Sequence, residues 1–266
     1  MDDLQFRRLL HHLGLSWAGY RKVRKGVKKR VSRHMLTLNC SNVADYLFEL
    51  DRSKEVRDEC DRLMTVSISR FFRDKGMWEL LMAEILPRLI EKNPEKISVW
   101  SAGCASGEEV YSLKILLDPV LSSNGISPEL IITATDMNSI YLERARTGLY
   151  PGSSLKEIPE GLRSNYFHPE EGDKYYRIKE SLKKGLTWRV HNLVSGTLET
   201  QFQIIFLRNN LLTYYQDEVK RAALKRVLTC LRPGGFLIIG SHETLPLETP
   251  ELYHYRPLSY IFRKRG

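Results

Sequence analysis

The amino-acid sequence predicts an α/β fold in which a doubly wound, mainly parallel sheet with a small inserted β subdomain follows an all-α N-terminal domain. From about residue 97, short apolar runs alternate with helical patterns, as in a parallel sheet with helices on its faces. The first 65 residues have helical periodicity and lack strand-like alternation. A chain of 266 residues is long enough to form one main domain and a smaller one.

The strands and helices of the sheet domain follow from this alternation. The predicted strands are 97–103, 130–136, 187–193, 202–209 and 234–243, and the predicted helices are 108–121, 138–148 and 217–231. Pro257 divides the segment 253–264, which predicts an antiparallel pair at the edge of the sheet. The alternation lapses after Tyr150, where we expect a small β insertion over about 151–187. We place the domain boundary near residue 72, which gives domains of 1–72 and 73–266.

Composition excludes several classes of protein. At 42% hydrophobic and 27% charged residues, the chain is typical of a globular protein rather than a disordered one. No apolar run approaches the roughly 18 residues that span a bilayer, and the N-terminus does not resemble a signal peptide. We therefore expect a cytoplasmic protein that is not membrane-embedded, with a monomer as the default. The four cysteines and seven histidines lack the spacing of a zinc site or a disulfide framework, so no metal is expected.

The net charge of +9 is concentrated near the N-terminus. Residues 1–35 hold ten Lys or Arg against two Asp. Val23, Val27 and Val31 recur at four-residue spacing, which predicts a helix with one apolar face and basic faces elsewhere. Because the charge is local and of one sign, we favour a docking surface for an acidic partner. The alternative is a solvated charged face without a partner.

A glycine-containing turn after the first predicted strand marks the expected cofactor pocket. Gly103 and Gly107 would form the floor of this pocket, although their spacing matches neither the dinucleotide fingerprint nor a P-loop. Glu108 and Glu109 follow where a phosphate would otherwise bind. They favour a ligand with cationic and hydroxyl groups, such as S-adenosylmethionine; the alternative is that they only complement the helix dipole. Asp136 ends the second strand, where an acidic side chain holds ribose hydroxyls or, alternatively, caps a helix.

A series of motifs runs through nearly the whole chain in a fixed order. They are DYLFEL (45–50) after the basic helix, SISRFFRD (67–74), WSAGCASGEEVYSL (100–113), TATDMNSIYLERARTGLY (133–150), YF (166–167), HNLV (191–194), FQIIFLRNNLLTYY (202–215) and LRPGGFLIIGSHE (231–243). The set resembles the chemotaxis receptor glutamate methyltransferase family (CheR type). The resemblance implies a receptor-facing helical domain and a Rossmann-like, S-adenosylmethionine-dependent methyltransferase domain. It also implies that the enzyme forms glutamyl methyl esters on chemoreceptors, through an acidic helical region of the receptor, and releases S-adenosylhomocysteine.

The resemblance also implies a set of site residues. In addition to Gly103, the cofactor-binding residues would be Ser67, Ser69, Arg73, Glu108, Asp136, Asn192, Leu193, Asn209 and Asn210. Arg73 matches the arginine beside the transferable methyl group. A substrate glutamate is already ionised at neutral pH, because its pKa is about 4.3, so the reaction needs positioning rather than a general base. Arg73 would hold the carboxylate for in-line attack; a structural ion pair with Asp74 or Glu108 is the alternative.

The sequence departs from the family pattern at a few positions. Thr213 stands where the family has a tyrosine. If that tyrosine assists catalysis, either Tyr214 or Tyr215 replaces it by a local shift or the assistance is absent; we assign Tyr214 to this role. Val110 replaces the usual proline, and Gly240-Ser241-His242-Glu243 replaces the common G-H-S-E. The insertion lacks the glycine-rich pattern of members that bind a receptor's C-terminal peptide, so tethered recruitment is not assumed.

Two other functions remain open at the level of sequence. A signalling adapter would bind S-adenosylmethionine or S-adenosylhomocysteine without turnover, and the altered tyrosine motif is its main support. A nucleic-acid methyltransferase is suggested by the basic helix. However, Arg208-Asn209-Asn210-Leu211 stands where many base-directed enzymes carry D/N-P-P-Y/F/W. We therefore expect no nucleic-acid partner.

Overall fold

The N-terminal part of the computed structural model, which describes residues 1–67, 69–123 and 128–266, is helical as predicted. Its five helices are α1 (Asp3–His12), α2 (Trp17–Tyr20), α3 (Arg24–Thr37), α4 (Val43–Arg52) and α5 (Lys54–Met64). Side chains that accept hydrogen bonds from the first turn fix where three of them begin: Asp2 for α1, Asn42 for α4 and Ser53 for α5. Their apolar faces pack into one core around Phe6, Val31 and Tyr46.

Among the described residues the main sheet has seven strands, which confirm the predicted strands and the edge pair. Its strands are β1 (Lys96–Ala102), β2 (Glu129–Asp136), β6 (Leu186–Val190), β7 (Phe202–Leu207), β8 (Leu231–Ile239), β9 (Leu252–His254) and β10 (Ile261–Lys264). Their order is β6-β2-β1-β7-β8-β10-β9. The first five are parallel, and β10 is antiparallel to both β8 and β9. The parallel strands therefore end at the same edge of the sheet.

A second, smaller sheet forms the inserted β subdomain. Its strands β3 (Leu149–Pro151), β4 (Phe167–Glu170) and β5 (Tyr175–Ile178) are antiparallel in the order β3-β5-β4. Short 3-10 turns at Gly152–Leu155 and Glu180–Lys183 and helix α10 (Glu160–Tyr166) complete the insertion. The sheet begins with Leu149, slightly before the expected start of the insertion.

Helices cover both faces of the main sheet. They are α6 (Lys75–Leu80), a π-helical turn (Leu81–Ile85), α7 (Leu86–Lys92), α8 (Glu108–Ser123), α9 (Ser139–Thr147), α11 (Leu211–Tyr214) and α12 (Asp217–Thr229). Alternate side chains of β1 enter different cores, Val99 packing with α7 and α8 and Trp100 packing with α12. The doubly wound α/β fold is thus confirmed. The sequence reasoning did not predict the helical segment between Lys75 and Lys92.

The structure also bears on membrane insertion. Among the residues that the structure describes, no helix combines the length and the apolar character needed to cross a bilayer.

Candidate active site

A cavity lies between the helical N-terminal region and the edge where the parallel strands of the main sheet end. It is lined by all of the predicted site residues except Gly107 and Glu108, namely Ser67, Ser69, Arg73, Gly103, Asp136, Asn192, Leu193, Asn209, Asn210 and Tyr214. Ile68, which belongs to the same motif as Ser67, lies outside the described residues. The loops after β1, β2, β6 and β7, four neighbouring strands, form the sheet side of the cavity. Ligands of open α/β sheets bind in such crevices.

Asp136 organises the centre of this wall. Its Oδ2 accepts a hydrogen bond from the Ala105 N–H (2.9 Å) and its Oδ1 accepts one from the Asn138 N–H (2.8 Å). Burial raises the pKa of Asp136, and these backbone hydrogen bonds oppose the increase. Because each carboxylate oxygen has two lone pairs, Asp136 retains acceptor capacity toward the cavity.

The two glycines of the turn after β1 have different roles. A Cβ on Gly103 would lie 2.0 Å from Nδ2 of Asn210, so only glycine lets this amide approach the cavity floor. Gly107 does not line the cavity, contrary to the expectation from the sequence. A Cβ there would lie 2.8 Å from the ring of Trp188 and 2.9 Å from Ala145. Gly107 therefore permits helix packing rather than ligand approach.

The two glutamates at the start of α8 also differ. Glu109 lines the cavity, and its carboxylate accepts hydrogen bonds from Ser101 Oγ (2.7 Å) and Arg208 Nη1 (2.8 Å). Glu108 is 6% exposed, and its Oε2 has no hydrogen-bond partner among the described residues. Burial raises the pKa of Glu108, whereas hydrogen bonds from its own backbone N–H and from Ser69 lower it. A buried carboxylate oxygen without a partner is unfavourable unless a ligand satisfies it.

Arg208 is a cavity residue that the sequence reasoning missed as a site residue. It is 8% exposed and forms ion pairs with Asp74 (2.5 Å) and Glu109 (2.8 Å). The signal for it was an arginine directly after the fully buried strand β7. Asp74 has a φ of 63°, in the left-handed region. Arg208 thus binds the segment beside Arg73 to the sheet. The sequence analysis gave Asp74 as one alternative ion-pair partner of Arg73, and in the structure Asp74 pairs with Arg208.

Arg73 is placed at the junction of the helical region and the sheet. Its Nη2 donates a hydrogen bond to Oδ1 of Asn209 (3.3 Å), and its carbonyl oxygen accepts one from Nε1 of Trp78 (2.8 Å). The residues on either side of it, Phe72 and Asp74, have φ values of 53° and 63°. Such strained backbone persists where the surrounding structure fixes it, often at functional sites.

Thr213, which occupies the position of the family's tyrosine, lies outside the cavity lining, whereas the two tyrosines that follow it line the cavity. Thr213 Oγ1 donates a hydrogen bond to Oε1 of Glu243 (2.5 Å), and Thr213 is not a lining residue. Tyr214 and Tyr215 both line the cavity. Burial raises the pKa of Tyr214, and the positive charge of Arg73 opposes the increase. Burial raises the pKa of Tyr215 to about 12. Both phenols therefore remain neutral hydrogen-bond donors at physiological pH.

The helical region closes the other side of the cavity. Its lining residues are mainly apolar: Leu13, Leu15, Tyr20, Asp61, Met64, Thr65 and Val66. Backbone and side-chain hydrogen bonds join this wall to the sheet domain, from the Ser16 N–H to the Tyr214 carbonyl (2.8 Å) and from Asn138 Nδ2 to Thr65 Oγ1 (3.1 Å). Asp61 is the carboxylate in this wall, and the sequence reasoning did not single it out.

Comparison with known proteins identifies the family. The model of the CheR methyltransferase, SAM binding domain, matches residues 67–261. The chain belongs to this family. A chemotaxis protein methyltransferase of Listeria monocytogenes is 33% identical over 245 residues, which cover 92% of this chain and 90% of the relative. One of Vibrio parahaemolyticus is 31% identical over 223 residues, covering 82% and 80%. This member of the CheR family is therefore a methyltransferase with S-adenosylmethionine as its cofactor.

The similarity of this chain to solved structures is weaker than its similarity to these relatives. The N-methyltransferase NodS from Bradyrhizobium japonicum, in complex with S-adenosyl-L-homocysteine, is 13% identical and aligns with 82% of this chain and 97% of its own, with a TM-score of 0.41. A score of that size carries no argument about function.

The cavity of this CheR family member fits its cofactor chemically. Glu108 does not line the cavity, but it is hydrogen-bonded to the lining residue Ser69. Its buried Oε2 has no hydrogen-bond partner among the described residues, which suits an ammonium group. Asp136 offers spare lone pairs at the strand end where ribose hydroxyls bind in such sheets. Gly103 lets the amide of Asn210 reach the cavity floor, where it can hydrogen-bond to a ligand.

Proposed function

We propose that this protein esterifies glutamate side chains of chemoreceptor-type proteins with the methyl group of S-adenosylmethionine. The observation that carries the proposal is the position of Arg73, a cation that lines the cavity and contacts the amide of Asn209. Such a cation attracts a carboxylate to a site where the rest of the wall suits the cofactor. The names of the relatives from Listeria and Vibrio, chemotaxis protein methyltransferases, support a receptor substrate.

The cofactor roles are proposed residue by residue. Asp136 would accept hydrogen bonds from the ribose, and Glu108, with Ser67 and Ser69 nearby, would bind the amino acid part. Gly103 admits the Asn210 amide to the cavity floor, and the pairs Asn192–Leu193 and Asn209–Asn210 would close over the adenosine part. When bound, the cofactor supplies a methyl carbon on a positively charged sulfur, which is open to attack by a carboxylate oxygen.

Arg73 would act by orienting the substrate. A glutamate carboxylate carries its charge at neutral pH, so no residue has to remove a proton from it. The planar guanidinium can bind one carboxylate oxygen and leave the other free to attack. Orientation of this kind supplies a large part of the acceleration of a reaction between two bound groups.

Tyr214 would assist Arg73 as a neutral hydrogen-bond donor to the carboxylate. Its raised pKa keeps its proton in place, and it lines the cavity as Thr213 does not. This arrangement weakens the support for a non-catalytic adapter, because a tyrosine is available one position after the altered one.

The basic stripe of α3 would recognise the receptor. We define this stripe as Lys25, Lys29 and Arg33, which are exposed, while Val27 and Val31 on the other face of α3 are buried. An acidic helical region of a receptor would complement the stripe electrostatically. We further propose that residues 1–72 form the receptor-facing domain and 73–266 the methyltransferase domain, and that the protein acts in the cytoplasm as a monomer.

The proposal is tested by methyl transfer to receptor-containing membranes. The assay uses S-adenosylmethionine with a radiolabelled methyl group and measures the methanol that alkali releases from glutamyl methyl esters. We expect base-labile label on the receptor with the wild-type protein and nearly none with Arg73→Ala. Label that resists alkali, or label on a receptor whose acidic helical region lacks glutamate, would contradict esterification.

A further inference from the structure

Glu243, which follows the end of β8, holds three groups that lie beside the proposed catalytic residues. Its Oε2 accepts hydrogen bonds from the backbone N–H groups of Asn209 (3.0 Å) and Gly240 (2.7 Å). Its Oε1 accepts one from the hydroxyl of Thr213 (2.5 Å). A half-buried carboxylate with three donors is strongly fixed, because hydrogen bonds to a charged group are stronger than those between neutral groups.

The first of these groups, the Asn209 N–H, belongs to a residue that contacts Arg73. Asn209 has a φ of 55°, a left-handed conformation that asparagine tolerates but does not prefer. In this conformation its Oδ1 accepts the hydrogen bond from Nη2 of Arg73. The hydrogen bond that the Asn209 N–H donates to Glu243 therefore holds the backbone of a residue that contacts the guanidinium.

Gly240 makes this close arrangement possible. A Cβ at Gly240 would lie 2.7 Å from Oε2 of Glu243 and 2.9 Å from Oδ1 of Asn209. Both oxygens thus lie directly against the space of the missing side chain. The carboxylate and the amide share this small volume, so a movement of Glu243 would disturb Asn209.

The third group, the Thr213 hydroxyl, belongs to the residue that precedes Tyr214. Thr213 lies in the single-turn helix α11, one residue before Tyr214. The hydroxyl bond to Glu243 ties this turn to the end of β8. One carboxylate is therefore connected to Arg73 through Asn209 and to Tyr214 through Thr213.

We propose that Glu243 is a positioning residue for methyl transfer, which holds Asn209 and the turn of α11 so that Arg73 and Tyr214 face the cavity together. The proposal rests on the proposed function for the roles of Arg73 and Tyr214. Glu243 acts here through its acceptor oxygens, and its charge strengthens the three hydrogen bonds. Glutamine retains one acceptor oxygen for the two backbone N–H groups, and its amide can donate to the Thr213 hydroxyl, so glutamine can keep this arrangement whereas alanine cannot.

The kinetic test compares Glu243→Ala with Glu243→Gln. In Glu243→Ala we expect kcat to fall about 10- to 100-fold, as for small misplacement of catalytic groups, and the Kd of S-adenosylhomocysteine to rise by a smaller factor, because Asn209 also borders the cofactor pocket. Glu243→Gln should restore most of kcat. A glutamine variant as slow as the alanine variant would overturn positioning by hydrogen bonds, and a parallel loss of kcat and ligand affinity in both would reduce Glu243 to a purely structural role.

A structural test keeps the inference separate from the proposed function. Crystal structures of the wild type, Glu243→Ala and Thr213→Val are compared, each with S-adenosylhomocysteine. We expect the contact between Arg73 and Asn209 to be lost in Glu243→Ala and kept in Thr213→Val, the matched control that removes only the third bond. A contact that persists in Glu243→Ala overturns the inference. A wild type that transfers no methyl to receptor glutamates would instead refute the proposed function, and the crystal structures would still decide the role of Glu243.

Discussion

The two walls of the cavity differ in polarity. The sheet wall is polar, and its side chains are held by the backbone of the strand ends, as Asp136 is by the N–H groups of Ala105 and Asn138. The helical wall is mostly apolar where it faces the cavity, whereas the basic stripe of α3 is exposed to solvent. Arg73 lies at the junction between the two walls.

This difference suggests a division of tasks. Fixed polar groups on the sheet wall suit a cofactor that is the same in every reaction cycle, because they are oriented before it binds. Flexible lysine and arginine side chains on an exposed helix suit a protein partner, because they act over a distance and tolerate variation. Substitutions in one region should therefore leave the function of the other largely intact.

The largest effect is expected at the junction. Arg73→Ala should lower kcat for methyl transfer by about 100-fold, because the carboxylate loses its orienting partner. The Kd of S-adenosylhomocysteine should change much less, which calorimetry can measure beside the transfer assay. Arg73→Lys is the matched control, and it should recover only part of kcat because an ammonium lacks the planar fork. A kcat within threefold of the wild type in Arg73→Ala would place the orienting group elsewhere.

A smaller effect is expected on the sheet wall. Asp136→Asn should raise the KM for S-adenosylmethionine by about 10-fold, since it replaces a charged acceptor of ligand hydrogen bonds with a neutral one. The KM for the receptor should stay unchanged in the same assay. If the receptor KM rises instead, the two walls do not divide the tasks as we suggest.

A still smaller effect is expected from substitutions in the basic stripe. The double variant Lys25→Glu and Lys29→Glu should raise the KM for the receptor about fivefold at low salt, and the effect should shrink as salt is added, because the charges are exposed. Lys225→Glu, on an exposed position of α12, is the matched control and should not alter the KM. An equal effect of the control would show that only net charge matters.

The smallest effect concerns stability. Burial raises the pKa of Glu108, so the folded state without ligand disfavours its charge. Glu108→Gln should raise the Tm of the ligand-free protein by about 2 °C at neutral pH while weakening S-adenosylhomocysteine binding. A carboxyl group with a raised pKa in the folded state contributes stability at low pH that is lost as the pH rises through that pKa. The Tm difference should therefore vanish on acidification, and a difference that grows below pH 4 would contradict this reason.

The strands were predictable because of how they are buried. β1, β7 and the second half of β8 are buried on both faces and appear in the sequence as largely apolar runs, which short loops separate from the helices. The helical segment Lys75–Lys92 was missed, since its apolar residues are interrupted by a π-helical turn, which shifts the helical periodicity.

The site was less predictable than the fold. A helix turns about 100° per residue, so the sequence alone does not tell which of Glu108 and Glu109 faces the cavity. The ion pairs of Arg208 and the three hydrogen bonds of Glu243 join residues far apart in the chain, and no local pattern encodes them. The family motifs supplied the lining residues because they are short segments that the strand ends bring together. Their individual roles stay predictions.

The most direct test is a calorimetric titration of S-adenosylhomocysteine into three proteins: the wild type, Asp136→Asn, and the double variant Lys25→Glu and Lys29→Glu. The division of tasks predicts that the wild type and the stripe variant bind with the same affinity and that Asp136→Asn binds about 10-fold more weakly. Equal affinity in all three proteins, or a loss of affinity in the stripe variant, would contradict it.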